Sequence, residues 1–255
     1  MTVLNFIDAI FIFIIGLMLG SFNNVCIWRL PRNESIFYPL WSYCPHCKNK
    51  IKWYDNIPLV SYILLRGKCR YCKGRISYRY FVIELISGVV LLLFWLRFGL
   101  KIDFFITGVL SMFLIIISGI DFMHRVIYDE INISLFVVGV LFSPFNSTLG
   151  VNSSLHRTVN GLLGSICGGA LFYVLSLLGE RIFKREALGG GDVKFIFALG
   201  TFLGAKLTLL TIFLGSLFGS IFSIICWVVK RKKIDVIPYA PFLSLGAICA
   251  ILLFS

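Results

Sequence analysis

Leu188-Gly189-Gly190-Gly191-Asp192-Val193-Lys194 decides the reading of this chain. Three glycines deliver one carboxylate to the edge of an apolar run that extends from Phe195 to Gly204. An ionisable group at the rim of such a run marks a functional site by default and calls for a partner. Glycines there remove side-chain bulk, so that a second chain can come close to the backbone. A loop aspartate that merely caps the following helix is the plain alternative.

The rest of the chain gives that run its setting. Of 255 residues, 58% are hydrophobic and only 14% are charged, and the mean hydropathy is +0.92. That balance belongs to a polytopic membrane protein rather than a soluble domain. The expected fold is all-α, with about eight transmembrane helices. Eight apolar segments lie near 3–27, 81–97, 102–120, 130–146, 158–179, 193–204, 207–229 and 237–254. The segment 193–204 is short, and 130–146 opens on Glu130 and Asn132. No basic residue precedes the first segment, so a removable signal peptide is not expected.

The net charge of +12 reads as topology, not as affinity for nucleic acid. The medium implied is a lipid bilayer. Loop 28–80 carries eleven Lys and Arg, and with loops 121–129, 180–194 and 230–236 it holds 20 of the 24 basic residues. Arg97, Lys101, Arg157 and Lys206 are all that fall in the alternate loops. Basic loops stay in the cytoplasm, so both termini are expected outside. The expected division is a first transmembrane helix at 1–27, a cytoplasmic domain at 28–80 and a seven-helix membrane domain at 81–255.

Loop 28–80 is too small for a large core, so it calls for a staple. Cys44-Pro45-His46-Cys47 and Cys69-Arg70-Tyr71-Cys72 supply one, two CxxC pairs separated by 21 residues. Four thiolates at this spacing fit a structural Zn2+ site with Cys44, Cys47, Cys69 and Cys72 as ligands. A reducing cytoplasm argues against two disulfides. Cys26, Cys167, Cys226 and Cys249 lie in apolar runs and read as small core residues.

The partner for Asp192 is Asp121, at the end of the third span in Ser118-Gly119-Ile120-Asp121-Phe122-Met123-His124-Arg125. On the topology above both lie at the cytoplasmic rim. Two carboxylates at one depth on two helices can share a proton and activate a water. Asp129 reads instead as a loop or capping residue. No GxSxG or HExxH motif is present, and the only histidines are His46, His124 and His156.

Together these motifs resemble the type IV prepilin peptidase family, bifunctional leader peptidases and N-methyltransferases. The likeness covers nearly the whole length. It rests on Gly20-Ser21-Phe22-Asn23-Asn24 through Arg29-Leu30-Pro31, on Asp55-Asn56-Ile57-Pro58-Leu59-Val60-Ser61-Tyr62, on Leu65-Arg66-Gly67-Lys68-Cys69, on Ile76-Ser77-Tyr78-Arg79-Tyr80, on the GxGD signature Gly189-Gly190-Gly191-Asp192 and on Pro238-Tyr239-Ala240-Pro241-Phe242. The resemblance implies an intramembrane aspartic endopeptidase of a bacterial plasma membrane, with Asp121 and Asp192 catalytic. It implies substrates that are type IV prepilins or pseudopilins, as in pilus and type II secretion systems. It also implies methyl transfer from S-adenosylmethionine, served by the zinc-bearing loop, with the stretch around Gly67 as the suspected cofactor site. The chain departs from the family where a second acid and a Leu-Pro-Asp ending are common: Met123 and Ile127-Tyr128-Asp129 stand there. The missing proline leaves the start of the fourth span open.

A helix N-terminus favours an ionised carboxylate and a C-terminus a protonated one. The expected roles are therefore Asp192 as ionised base and Asp121 as holder of the shared proton. An ion or metal transporter with a cytosolic cysteine sensor is the competing class; it would show metal-dependent flux and no peptide cleavage. The topology has its own test. A cysteine introduced between 143 and 156 is expected to react with an impermeant thiol reagent added outside intact cells, and one in 28–80 is not; the opposite pattern inverts the arrangement.

Overall fold

The structure, a computed structural model, describes residues 3–150, 153–184, 188–230 and 237–255. The chain is helical, and among the described residues there is no strand beyond two isolated bridges. The helices are α1 (Val3–Arg29), the single turn α2 (Val60–Leu64), α3 (Arg79–Phe98), α4 (Ile102–His124), α5 (Asp129–Phe142), α6 (Ser154–Phe183), α7 (Gly190–Lys230) and α8 (Ala240–Phe254). Among the described residues, five helices are long and apolar enough to cross a membrane, and α8 is a shorter apolar one. Arg231, Lys232 and Lys233, counted above toward the inner face, and Arg185 lie outside the described residues.

Residues 1–96 and 97–255 form two compact units. In the first, α1 and α3 pack through small residues. A Cβ on Gly16 would stand 2.7 Å from the Gly88 Cα, and one on Gly20 would stand 2.7 Å from the Glu84 Cα. Gly16 and Gly20 are one turn apart, so glycine is what brings the backbones together where lipid offers no hydrophobic drive. The segment after α1 is folded by Arg29. Its buried guanidinium donates to the carbonyls of Ser35, Ile36, Pro39 and Trp41 at 3.0–3.3 Å. Glu84 has a partner as well: its Oε2 accepts the Leu59 N–H at 2.9 Å, which ties the loop to α3.

In the second unit, α7 does not run straight. Gly204 has φ 68° and ψ 175°, outside the helical region, a conformation open chiefly to glycine. The two limbs run in opposite senses along α6. Gly161 and Gly169 face Thr201 and Phe197 in the first limb, whereas Gly164 and Gly168 face Gly204 and Thr208 in the second. The expected segments 193–204 and 207–229 are therefore two helical limbs joined by a tight reversal. The helix ends it creates inside an apolar bundle need partners. Asn146 Nδ2 donates to the Phe202 carbonyl at 2.8 Å, and Asn160 Oδ1 accepts from the Ala205 N–H at 3.3 Å. The short turns before α6 are held in turn by buried Asp103, which accepts the Ser147 N–H at 2.8 Å.

The fourth apolar segment differs from expectation at its end and not at its start. The segment placed at 130–146 is a helix only to Phe142, followed by a 3-10 turn at Ser143–Phe145; Pro144 cannot continue the hydrogen-bond ladder. The start of α5 is firm despite the missing proline, because Tyr128 holds φ −79° and ψ 135°, close to what a proline would impose. The close packing of α6 on α7, backbone against backbone, is sensitive to volume. A Cβ on Gly200 would stand 2.3 Å from the Ser165 N, whereas one on Gly190 would meet nothing within 4 Å among the described residues. Gly200→Ala is expected to cost roughly 1–3 kcal/mol by overpacking, and Gly190→Ala to change stability by a few tenths. Thermal unfolding in detergent checks the pair; equal melting temperatures would refute the packing assignment.

Candidate active site and metal centre

Asp121 and Asp192 both belong to the second unit. Asp121 is in the last turn of α4, which Arg125 closes in a left-handed cap, donating its N–H to the Asp121 carbonyl at 2.8 Å. Asp192 is the third residue of α7; its N–H donates to the Gly189 carbonyl at 3.0 Å, and its carboxylate in turn accepts from the Gly189 main chain. The two carboxylates are close enough to act electrostatically on each other, and Arg125 acts on Asp121. Both side chains lie in mostly apolar surroundings; Asp121 is 6% exposed.

Their hydrogen bonding is unequal. Asp121 Oδ2 accepts the N–H of Ala240, the first residue of α8, at 3.0 Å. Pro241 follows at a position where a helix has no use for an N–H. Ser118 and Ser244 join α4 to α8 one turn deeper, at 2.8 Å. Asp192 Oδ1, by contrast, is buried without a hydrogen-bond partner. Asp121, at the negative end of its own helix, thus also sits against the positive end of α8. Tyr239, beside Ala240, is within electrostatic reach of Asp192 and shares a hydrogen bond with Ser216 at 2.8 Å. The contribution of α8 could not be read from local sequence, since the bond joins positions 119 apart.

The three glycines are not equivalent. A Cβ on Gly191 would stand 3.1 Å from the Ile127 Cβ, and one on Gly189 would stand 3.2 Å from Asp192 Oδ2. Those two serve packing within the chain, whereas a Cβ on Gly190 would meet nothing within 4 Å among the described residues. Asp129 pairs with Lys194 at 2.7 Å, with both side chains more than half exposed. That pair joins the starts of α5 and α7 and contributes about 0–1 kcal/mol.

In the first unit, the four cysteines come together. The Sγ atoms of Cys44, Cys47, Cys69 and Cys72 all lie within 4.8 Å of one another, and those of Cys44 and Cys72 are 3.9 Å apart. Thiolates around a tetrahedral zinc at about 2.3 Å stand about 3.8 Å from each other, so the donor set fits the metal. The two halves repeat each other. Cys44 N–H donates to the Asn49 carbonyl and Cys69 N–H to the Gly74 carbonyl, at 3.0 and 2.9 Å. Lys48 and Lys73 both take positive φ, 59° and 58°. Main-chain N–H groups of Cys72 and Tyr71 draw the Cys69 thiol down to about 7, toward the thiolate that binds metal. Arg70 reaches back to Asp55 in a forked pair at 2.6–3.0 Å, which holds the Asp55 carboxyl below its ordinary value. Gly67, at φ 64°, packs on the Tyr62 ring and hydroxyl, 3.0 Å from a would-be Cβ. That accounts for a glycine there.

Comparison with known proteins decides the family. The model of the bacterial peptidase A24 N-terminal domain matches residues 14–98, and that of the type IV leader peptidase family matches residues 108–224. The chain belongs to the type IV leader peptidase family. It is 34% identical to the prepilin leader peptidase/N-methyltransferase of Vibrio cholerae serotype O1, over 93% of this chain and 92% of that one. It is 34% identical to the type 4 prepilin-like proteins leader peptide-processing enzyme of Escherichia coli O78:H11, over 93% and 91%. The Bacillus subtilis prepilin leader peptidase/N-methyltransferase is 31% identical over 94% and 92%. No solved structure matches the chain.

The metal centre has a direct test. Replacing Cys44 and Cys69 together by serine is expected to remove bound zinc and to expose the 28–80 segment to protease, since ligand energy there stands in for a core. Elemental analysis of the purified protein that finds no zinc in the parent, or equal zinc in the double variant, would contradict the assignment.

Proposed function

We propose that this chain removes the short basic leader of type IV prepilins or pseudopilins at the cytoplasmic membrane face and then methylates the new N-terminus. The observation that carries the reading is the pair of aspartates from α4 and α7, Asp121 buried and Asp192 half-buried, within electrostatic reach of each other, each met by main-chain donors, with one oxygen of Asp192 left without a partner among the described residues. Names of relatives across nearly the whole length give the substrate class.

Hydrogen bonds to a carboxylate favour its ionised form. In this proposal Asp121, against the N-terminus of α8, is the anion, and the free oxygen of Asp192 carries the shared proton. This reverses the roles expected from each residue's own helix. One carboxylate takes a proton from water while the water oxygen attacks the scissile carbonyl carbon. The other donates its proton to the carbonyl oxygen. Collapse breaks the C–N bond, and the leaving amine takes a proton. The open flank at Gly190 admits an extended strand, the form in which a peptide bond is accessible. The topology in the proposal keeps the basic leader in the cytosol and both termini outside.

The loop 28–80, stapled by zinc on Cys44, Cys47, Cys69 and Cys72, serves methyl transfer, and residues 81–255 serve cleavage. S-adenosylmethionine supplies the methyl group.

Asp121→Asn and Asp192→Asn are each expected to lower leader cleavage at least about a thousandfold, since removing one member of a catalytic unit costs nearly as much as removing all. Methylation of an already cut pilin is expected to persist. Cleavage by purified variants, followed by gel shift of the precursor, checks this; substantial cleavage by Asp121→Asn would move the search for a partner to Asp129.

A further inference from the structure

Asn132 is 4% exposed, yet neither its Nδ2 nor its Oδ1 has a hydrogen-bond partner among the described residues. In the second unit, the other buried side-chain atoms in that condition are Asp192 Oδ1 and Thr211 Oγ1. A buried primary amide with both ends unpaired is costly, and chains keep one only where something else completes it.

Its place in the fold is specific. Asp129, Asn132, Phe136 and Gly139 form one stripe of α5 at the spacing of a single helix face. Three of the four have known partners on α7: Asp129 pairs with Lys194, the Phe136 ring stacks on Phe197 with centroids 5.3 Å apart, and Gly139 lies against Thr201 and Phe202. Asn132 therefore lies at the level between Lys194 and Phe197. That is about one helical turn deeper than Asp192. Ile127, just before α5, packs on Gly191, so the first turns of α5 flank the glycine loop that carries Asp192.

Cleavage inside a membrane has a requirement that cleavage in water lacks. A substrate helix must open for its peptide bond to be attacked, and each opened N–H and C=O then needs a partner where no water supplies one. An asparagine amide offers one donor and one acceptor, the pair that one extended residue demands. We propose that Asn132 is a subsite for the main chain of the substrate, on its apolar side just past the scissile bond. This rests on the peptidase reading above.

The test measures kcat/KM for a full-length precursor in detergent, with melting temperatures, for the parent, Asn132→Leu and Asn132→Ser. Leucine matches the volume and removes both polar ends. If the amide only served the fold, leucine would lower the melting temperature and leave the kinetics of folded enzyme unchanged. The proposal predicts an equal or higher melting temperature for Asn132→Leu and a kcat/KM lower by about tenfold or more, carried mainly by KM, as for loss of a binding contact worth about 1.4 kcal/mol. Serine keeps one hydroxyl donor and acceptor and is expected to recover part of the loss. Parent-like kcat/KM in Asn132→Leu, a lowered melting temperature with it, or serine no better than leucine would each overturn the subsite. A parent enzyme that leaves the precursor uncut would overturn the peptidase reading itself.

Discussion

A carboxylate inside an apolar bundle must be given donors, and the bond from the Ala240 N–H to Asp121 is where this fold provides them. It requires α8 to begin at the depth where α4 ends. That in turn requires the second limb of α7 to return to that end, which the reversal at Gly204 accomplishes. The reversal depends on Asn146 and Asn160, which satisfy the helix ends it creates. Remove any link, and Asp121 is a buried charge without a partner, a state that costs several kcal/mol.

The same logic separates the two units. The second is packed by glycine contacts between α6 and α7 and has little freedom of volume. The first holds its loop by a few polar clamps, Arg29 on four carbonyls and Glu84 on the Leu59 N–H, with the cysteine cluster closing the far end. A rigid bundle suits a reaction that needs two carboxylates in register. A loop built on clamps and a metal needs no large core of its own.

Much of this was legible in the chain itself. Residue type and spacing are local properties, so the cysteine pairs, the apolar segments and both aspartates could be read directly. Asp192 stood out because an acid beside three glycines at the rim of an apolar run calls for a partner as well as for a helix cap. What could not be read depends on contacts between distant positions. The α8 donor to Asp121 and the Asn160 acceptor for Ala205 join residues 119 and 45 apart. The proposal reverses the roles expected of the aspartates from their own helices because a neighbouring helix contributes its terminus too. The sharp turn at Gly204 was visible only as a short gap between apolar runs, since a glycine in such a run serves close packing as readily as a positive φ. The buried amide of Asn132 read only as a polar residue near a boundary.

The central claim is that this bundle cuts a precursor and that the same chain then modifies the product. Intact-mass measurement of a prepilin incubated with the purified, detergent-solubilised protein tests it most directly. The account predicts loss of the leader alone without S-adenosylmethionine, and the same cut product heavier by one methyl group when it is added. A precursor of unchanged mass under both conditions would contradict it.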